Sequence, residues 1–119
     1  MLDTGKFSKM NVSDMQKEVD EYIGQFKEGY FSPMSQIVRF TEELGELARE
    51  VNHVYGDKKK KATEADGSIS EELGDMFILC LILANSLDMD ITEIYKKNMD
   101  KFTKRDKYRY DRKDGKLHD

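Results

Sequence analysis

Two acidic pentapeptides hold most of the chemistry this chain can offer: Glu42-Glu43-Leu44-Gly45-Glu46 and Glu71-Glu72-Leu73-Gly74-Asp75. Each sits in an apolar pattern of helical period, and acids three residues apart are neighbours on a helix surface. Glu43 therefore shares a face with Glu46, and Glu72 with Asp75. If the two helices pack side by side, four carboxylates converge. Like charges ~5 Å apart repel by several times the thermal energy even at an effective dielectric near ~20. Such a cluster persists by taking up protons or by holding a cation. Carboxylate oxygens are hard ligands, which selects magnesium or manganese over zinc.

The glycines sharpen the reading. Gly45 and Gly74 occupy matching places in helix interiors, where glycine costs roughly 1 kcal/mol relative to alanine. Their placement predicts close helix–helix packing, which would bring the carboxylates within reach of one cation. One acidic helix face alone is ordinarily just solvated. Its repetition on a second helix is what points to a site.

The rest of the chain must position these groups. Its 119 residues make one domain. Charged residues are 37% and hydrophobic ones 38%, with one proline and no tryptophan, and the apolar residues recur at helical spacing. An all-α fold follows. A net charge of −4 argues against general binding to nucleic acid or to an anionic membrane. No apolar run is long enough to span a bilayer and no signal peptide opens the chain, so a cytoplasmic location is expected. The single cysteine, Cys80, has no intrachain partner and is expected to be a small buried hydrophobe.

Residues 1–12 lack periodicity and form a flexible N-terminus. The helical domain spans 13–106. A first helix opens at Ser13 with Gln16 as capping-box partner, carries Met15, Val19, Tyr22, Ile23 and Phe26, and ends before Gly29. The second starts at Ser32, with Pro33 in the first helical position, and closes at Tyr55–Gly56. The Lys-rich stretch 57–67 reads as a mobile, solvated loop, or as a lid whose Lys58 to Lys61 approach a polyanion. Ser68 with Glu71 caps the third helix. From Met76 to Ala84 that helix is apolar all round, as helices buried on every side are. A chain this small can hardly surround it, so homodimerisation through this helix is expected. Ile91, Ile94, Tyr95, Met99 and Phe102 give a fourth helix, and 107–119 form a C-terminal tail.

Glu-Glu-x-x-Glu followed a loop later by Glu-x-x-Asp, in a small four-helix chain, resembles the MazG-like nucleoside triphosphate pyrophosphohydrolases of the all-α superfamily. The resemblance covers about 13 to 106 and is closest to the short, single-domain proteins of Gram-positive bacteria. Lys101-Phe102 and Arg105 also look like the late segment of that family. The chain departs from it at Met99, where an asparagine is common and here Asn98 stands one place off. The resemblance implies a four-helix bundle assembled as a homodimer or a dimer of dimers (a homotetramer). It implies a nucleoside triphosphate substrate, hydrolysed to the monophosphate and pyrophosphate in nucleotide-pool housecleaning. Glu43, Glu46, Glu72 and Asp75 would hold Mg2+, with Mn2+ as a substitute. Glu42 would be an outer group, a second-metal ligand or the base that orients water, and Glu71 a helix cap. Lys101 and Arg105 would reach the phosphates. Phe26, Tyr30, Phe31 and His53 are candidates to stack on the base, His53 standing where some relatives place an aromatic residue.

Three other readings compete. A ferritin-like di-iron bundle needs Glu-x-x-His pairs, and neither histidine stands three residues after a glutamate that could serve. A divalent-metal-dependent nucleotide-binding or regulatory module would retain the acids yet turn over little. A purely structural helical dimer would show no metal effect on its stability. No phosphate-binding Gly-rich loop, catalytic triad or Cys/His metal spacing offers another chemistry.

Overall fold

The computed structural model describes residues 1–57, 59 and 67–119. Four helices follow in order: α1 (Val12–Gly24), α2 (Pro33–Tyr55), α3 (Ile69–Ser86) and α4 (Ile91–Asp106). Among the described residues there is no strand. The expected Lys-rich loop, with its lid reading for Lys58 to Lys61, lies almost wholly outside them.

Local side-chain chemistry sets most helix ends. Ser32 Oγ accepts the Ser35 N–H at 3.2 Å, with Pro33 following as the first helical residue. Ser68 Oγ accepts the Glu71 N–H at 3.0 Å, and Asp90 Oδ1 accepts from Thr92 and Glu93. Of the capping box at α3 only this half forms among the described residues. Helix α1 departs from expectation at both ends. Its cap is Asn11, whose Oδ1 takes the Asp14 N–H at 2.8 Å, rather than Ser13. It stops at Gly24, where glycine weakens the helix. Gly29, in the left-handed region at φ 64°, then closes a turn by donating its N–H to Phe26 O. Replacing Ser68 by alanine should lower stability by about 1 kcal/mol, because α3 then loses a satisfied N–H in its first turn. Thermal melts measure this, and an unchanged midpoint would remove the cap as a stabilising element.

Helices α2 and α3 form an antiparallel hairpin. At one end the buried Gln36 donates to Phe31 O at 2.8 Å and to Ser86 Oγ at 3.1 Å. At the other end Glu50 lies against Gly67. Helix α1 packs on α3, and α4 packs principally on α1. The apolar centre is small: Leu79, Leu81 and Ala84 of α3, with Leu81 only 2% exposed. A radius of gyration of 18.6 Å exceeds the roughly 13–14 Å of a compact chain of this length.

The missing burial is on α3. Leu73, Phe77 and Ile78 are exposed, and so is Cys80, against the expectation of a buried thiol. Leu44, Val51, Val54 and Tyr55 of α2 are exposed as well. One chain has too few helices to cover an all-apolar helix. No helix of the described residues is long and apolar enough to cross a membrane.

Candidate active site

The hairpin sets the second half of α2 against the first half of α3. The Ser68 cap fixes the phase of α3, so that Glu72 and then Asp75 face α2 one turn apart. Glu43, Glu72 and Asp75 each offer a carboxylate oxygen, and these oxygens lie within 4.8 Å of one another. Glu43 and Glu72 are half-buried and Asp75 is exposed. Glu72 Oε2 is buried without a hydrogen-bond partner. The loss of water around Glu72 raises its pKa above the ordinary carboxylate value, and the charges of Glu43, Asp75 and Glu46 push the same way. An orphaned, desolvated oxygen beside two further carboxylates is a donor set that a hard divalent cation satisfies. The residues present fit magnesium or manganese.

Glu46 does not join this group. Its carboxylate turns along α2 to Arg49, with Oε2 2.6 Å from Nη2. Both side chains stay partly exposed, 39% for Arg49 and 46% for Glu46, so solvent screens the pair and weakens its hold. Arg49 is thus a residue the sequence reading missed, although its place three after Glu46 was visible. Glu50 was missed too. It is only 5% exposed, on the same helix face one turn beyond Glu46. A Cβ on Gly67 would stand 2.7 Å from Glu50 Oε1, so glycine there permits the close approach of the chain. Glu42 and Glu71 are exposed.

The glycines of the repeats need another account. A Cβ built on Gly45 or Gly74 meets nothing within 4 Å. Close packing of α2 on α3 is therefore not their reason, and within one chain both positions are open.

Lys101 and Arg105 lie far along α4. Their ammonium and guanidinium groups sit over the Phe102 ring at 5.3 and 4.8 Å. Arg105 also donates to both oxygens of Asp106, at 2.9 and 3.2 Å. Among the described residues no ion pair or hydrogen bond links either one to the acidic cluster.

The stacking candidates divide into two places. Phe26 meets Tyr22 edge to face at 5.4 Å, Phe31 is exposed, and Tyr30 donates its hydroxyl to Asp20 Oδ1 at 2.7 Å. All three belong to the connection before α2. His53 is near the other end of that helix, ~30 Å away at 1.5 Å per residue. The four cannot line one pocket in one chain. An apolar cleft along α2, lined by Leu44, Leu47, Val51 and Tyr55 among others, adjoins the acidic repeat without including the three clustered acids.

The match to known proteins falls on the segment that carries this site. Residues 31–110 match the model of the MazG nucleotide pyrophosphohydrolase domain. The uncharacterized protein YpjD of Bacillus subtilis (strain 168) is 58% identical over 107 residues, covering 90% of this chain and 96% of that protein. The uncharacterized protein YvdC of the same organism is 28% identical over 102 residues, covering 81% of this chain and 96% of that protein. The crystal structure of B. subtilis YpjD superimposes with a TM-score of 0.72 over 81% of this chain and 98% of that one. That of a Bacillus-conserved MazG protein, a nucleotide pyrophosphohydrolase, does so with a TM-score of 0.70 at 51% identity, over 81% of this chain and 93% of that one. Matched over most of its length in sequence and in structure, the chain belongs to the MazG nucleotide pyrophosphohydrolase domain family.

Proposed function

We propose that this protein is a divalent-metal-dependent nucleoside triphosphate pyrophosphohydrolase that converts an NTP or dNTP and water to the monophosphate and pyrophosphate. The observation that carries the proposal is the meeting of Glu43, Glu72 and Asp75, with one Glu72 oxygen buried and unpartnered. An acidic cluster of this kind repels a polyphosphate unless a cation stands between them. Glu43, Glu72 and Asp75 would hold Mg2+, or Mn2+ in its place, and Glu46 would join them by leaving Arg49. When bound, the cation supplies charge neutralisation and Lewis-acid polarisation of phosphate oxygens. Glu42, next to Glu43 on α2, is assigned the orientation of the attacking water and the acceptance of its proton. The water oxygen forms a bond to the α-phosphorus as the bond from that phosphorus to the bridging oxygen breaks. Lys101 and Arg105 are assigned to the departing pyrophosphate, where negative charge accumulates.

The exposed apolar faces of α2 and α3 support a homodimer or a dimer of dimers, with the second copy covering Leu73, Phe77, Ile78 and Cys80. A housecleaning role in the cytoplasm accords with this chemistry.

The test is product analysis across canonical and modified NTPs and dNTPs, with magnesium and with EDTA. Metal-dependent appearance of monophosphate and pyrophosphate in equal amounts is expected, and the rate ranking names the substrate class. Release of orthophosphate would overturn the assigned position of attack. No turnover on any nucleotide, with magnesium still raising the melting temperature, would make the chain a nucleotide-binding module instead.

A further inference from the structure

Helix α4 carries both proposed phosphate-binding cations, yet the described residues hold it mainly at its base. Four residues separate the end of α3 from Ile91. Among them Asp88 is in the left-handed region at φ 54°, which non-glycine residues seldom adopt. The Met89 N–H bonds back to Ala84 O at 2.8 Å and the Asp88 N–H to Asn85 O at 3.1 Å, so the turn is tight. Onto this turn α1 delivers the side chain of Gln16. Its Nε2 donates to Asn85 Oδ1 at 2.8 Å and to Met89 O at 3.0 Å, and its Oε1 accepts the Ile91 N–H at 3.0 Å. Asn85 Nδ2 returns a bond to Gln16 O at 2.9 Å. The amide thus joins the last turn of α3, the connecting turn and the first residue of α4. Ile91 N–H is one of the donors that a helix start leaves without an intrahelical partner.

We infer that Gln16 is a positioning residue for the reaction: it clamps the base of α4 and so aims Lys101 and Arg105. The inference rests on the phosphate-binding role proposed above for those two residues. It concerns α1, which lies outside the segment matched by the family model. The leverage is geometric. Lys101 and Arg105 stand 10 and 14 residues beyond Ile91, ~15 and ~21 Å along the axis. A 10° change of tilt at the base therefore displaces them by about 3–4 Å. Misplacement of about 1 Å can cost a catalytic group ~100-fold. An apolar side chain at 16 would leave Asn85, Met89 O and Ile91 N–H to rearrange, freeing that tilt.

The test uses the full chain with Gln16→Met, close in length but unable to make these bonds, and Gln16→Glu. The glutamate retains an acceptor for Ile91 N–H but faces Met89 O with a carboxylate. Spin labels at Thr41→Cys on α2 and Thr103→Cys on α4, in a Cys80→Ser background diluted with unlabelled protein, report the direction of α4. Wild type should give a narrow distance distribution, Gln16→Met a broad one and Gln16→Glu an intermediate one. Pyrophosphate release should fall ~100-fold in Gln16→Met, while the rise in melting temperature caused by magnesium alone stays as in wild type. Combined with the double variant Lys101→Ala/Arg105→Ala, the substitution should cost little more than that double variant does by itself. Unchanged distances would overturn the clamp. Broadened distances with a wild-type rate, or losses that add fully with Lys101→Ala/Arg105→Ala, would overturn its role in aiming the cations. If the wild-type protein releases no pyrophosphate, the reading of the site fails, and the distances alone decide whether Gln16 holds α4.

Discussion

Replacing Glu43 by alanine should reduce pyrophosphate release at least ~1000-fold and, with EDTA present, raise the melting temperature. Both signs come from the same geometry. Glu43 belongs to the set of three carboxylates whose oxygens lie within 4.8 Å. Its charge is the second cause, after the loss of water, of the raised pKa of Glu72. Losing an outer partner of a metal ligand typically costs 10- to 100-fold, and losing a ligand should cost more. Without the metal, however, Glu43 is mainly a like charge beside Glu72 and Asp75, so removing it relieves repulsion. The variant should therefore fold well, turn over nothing measurable and lose the rise in melting temperature that magnesium gives wild type. Asp75→Ala should behave alike. A Glu43→Ala protein with wild-type turnover would defeat the ligand assignment. One that melts lower in EDTA would show that the carboxylate stabilises the fold instead of straining it.

The second large effect is the removal of the metal, which should abolish turnover and give stability a definite pH dependence. Glu72 has its pKa raised above the ordinary 4.5, first by loss of water and then by Glu43 and Asp75. The folded state therefore binds this proton more tightly than the unfolded state does. Its contribution is fully present below about pH 4.5 and is lost as pH rises through the folded pKa. Three tail and α4 acids shift the other way. Asp106 is held below 3.8 by its hydrogen bonds to Arg105, Asp114 by those to Arg112, and Asp119 by that from Lys107. Their contributions are present above 3.8 and are lost only as pH falls through their lowered values. All three ion pairs are largely exposed and small. Above pH 4.5 Glu72 is thus the shifted carboxylate that matters. In EDTA the melting temperature should fall as pH rises through its titration. With magnesium that fall should disappear, because metal displaces the proton, and the gain from magnesium should grow with pH. Melts from about pH 4 to 8 decide it. A melting temperature indifferent to magnesium at every pH would leave an acidic surface and no site.

What the sequence determined by itself was what one or two helical turns can encode. Ser32, Pro33 and Ser68 announce helix starts because a cap bonds to a backbone group three residues away. The spacing of Glu72 and Asp75 places two carboxylates on one face at any helix position, so the acidic motif and its all-α setting could be read directly. What packs across long separations could not. Gln16 satisfies every local criterion for a capping-box partner, yet it bonds instead to groups 69 to 75 residues away. Glu46 chooses Arg49 over the other acids because a rotamer, which periodicity does not specify, brings opposite charges together. Gly45 and Gly74 suggested tight packing, but their surroundings within the chain are open. Cys80 reads as buried from its apolar neighbours, and only the packing of α1 and α2 on α3, with α4 set mainly against α1, shows that one chain leaves that face uncovered. Hydrogen bonds within a turn are written in the order of residues. Which faces meet, and which stay bare, is decided by how few helices there are to cover them.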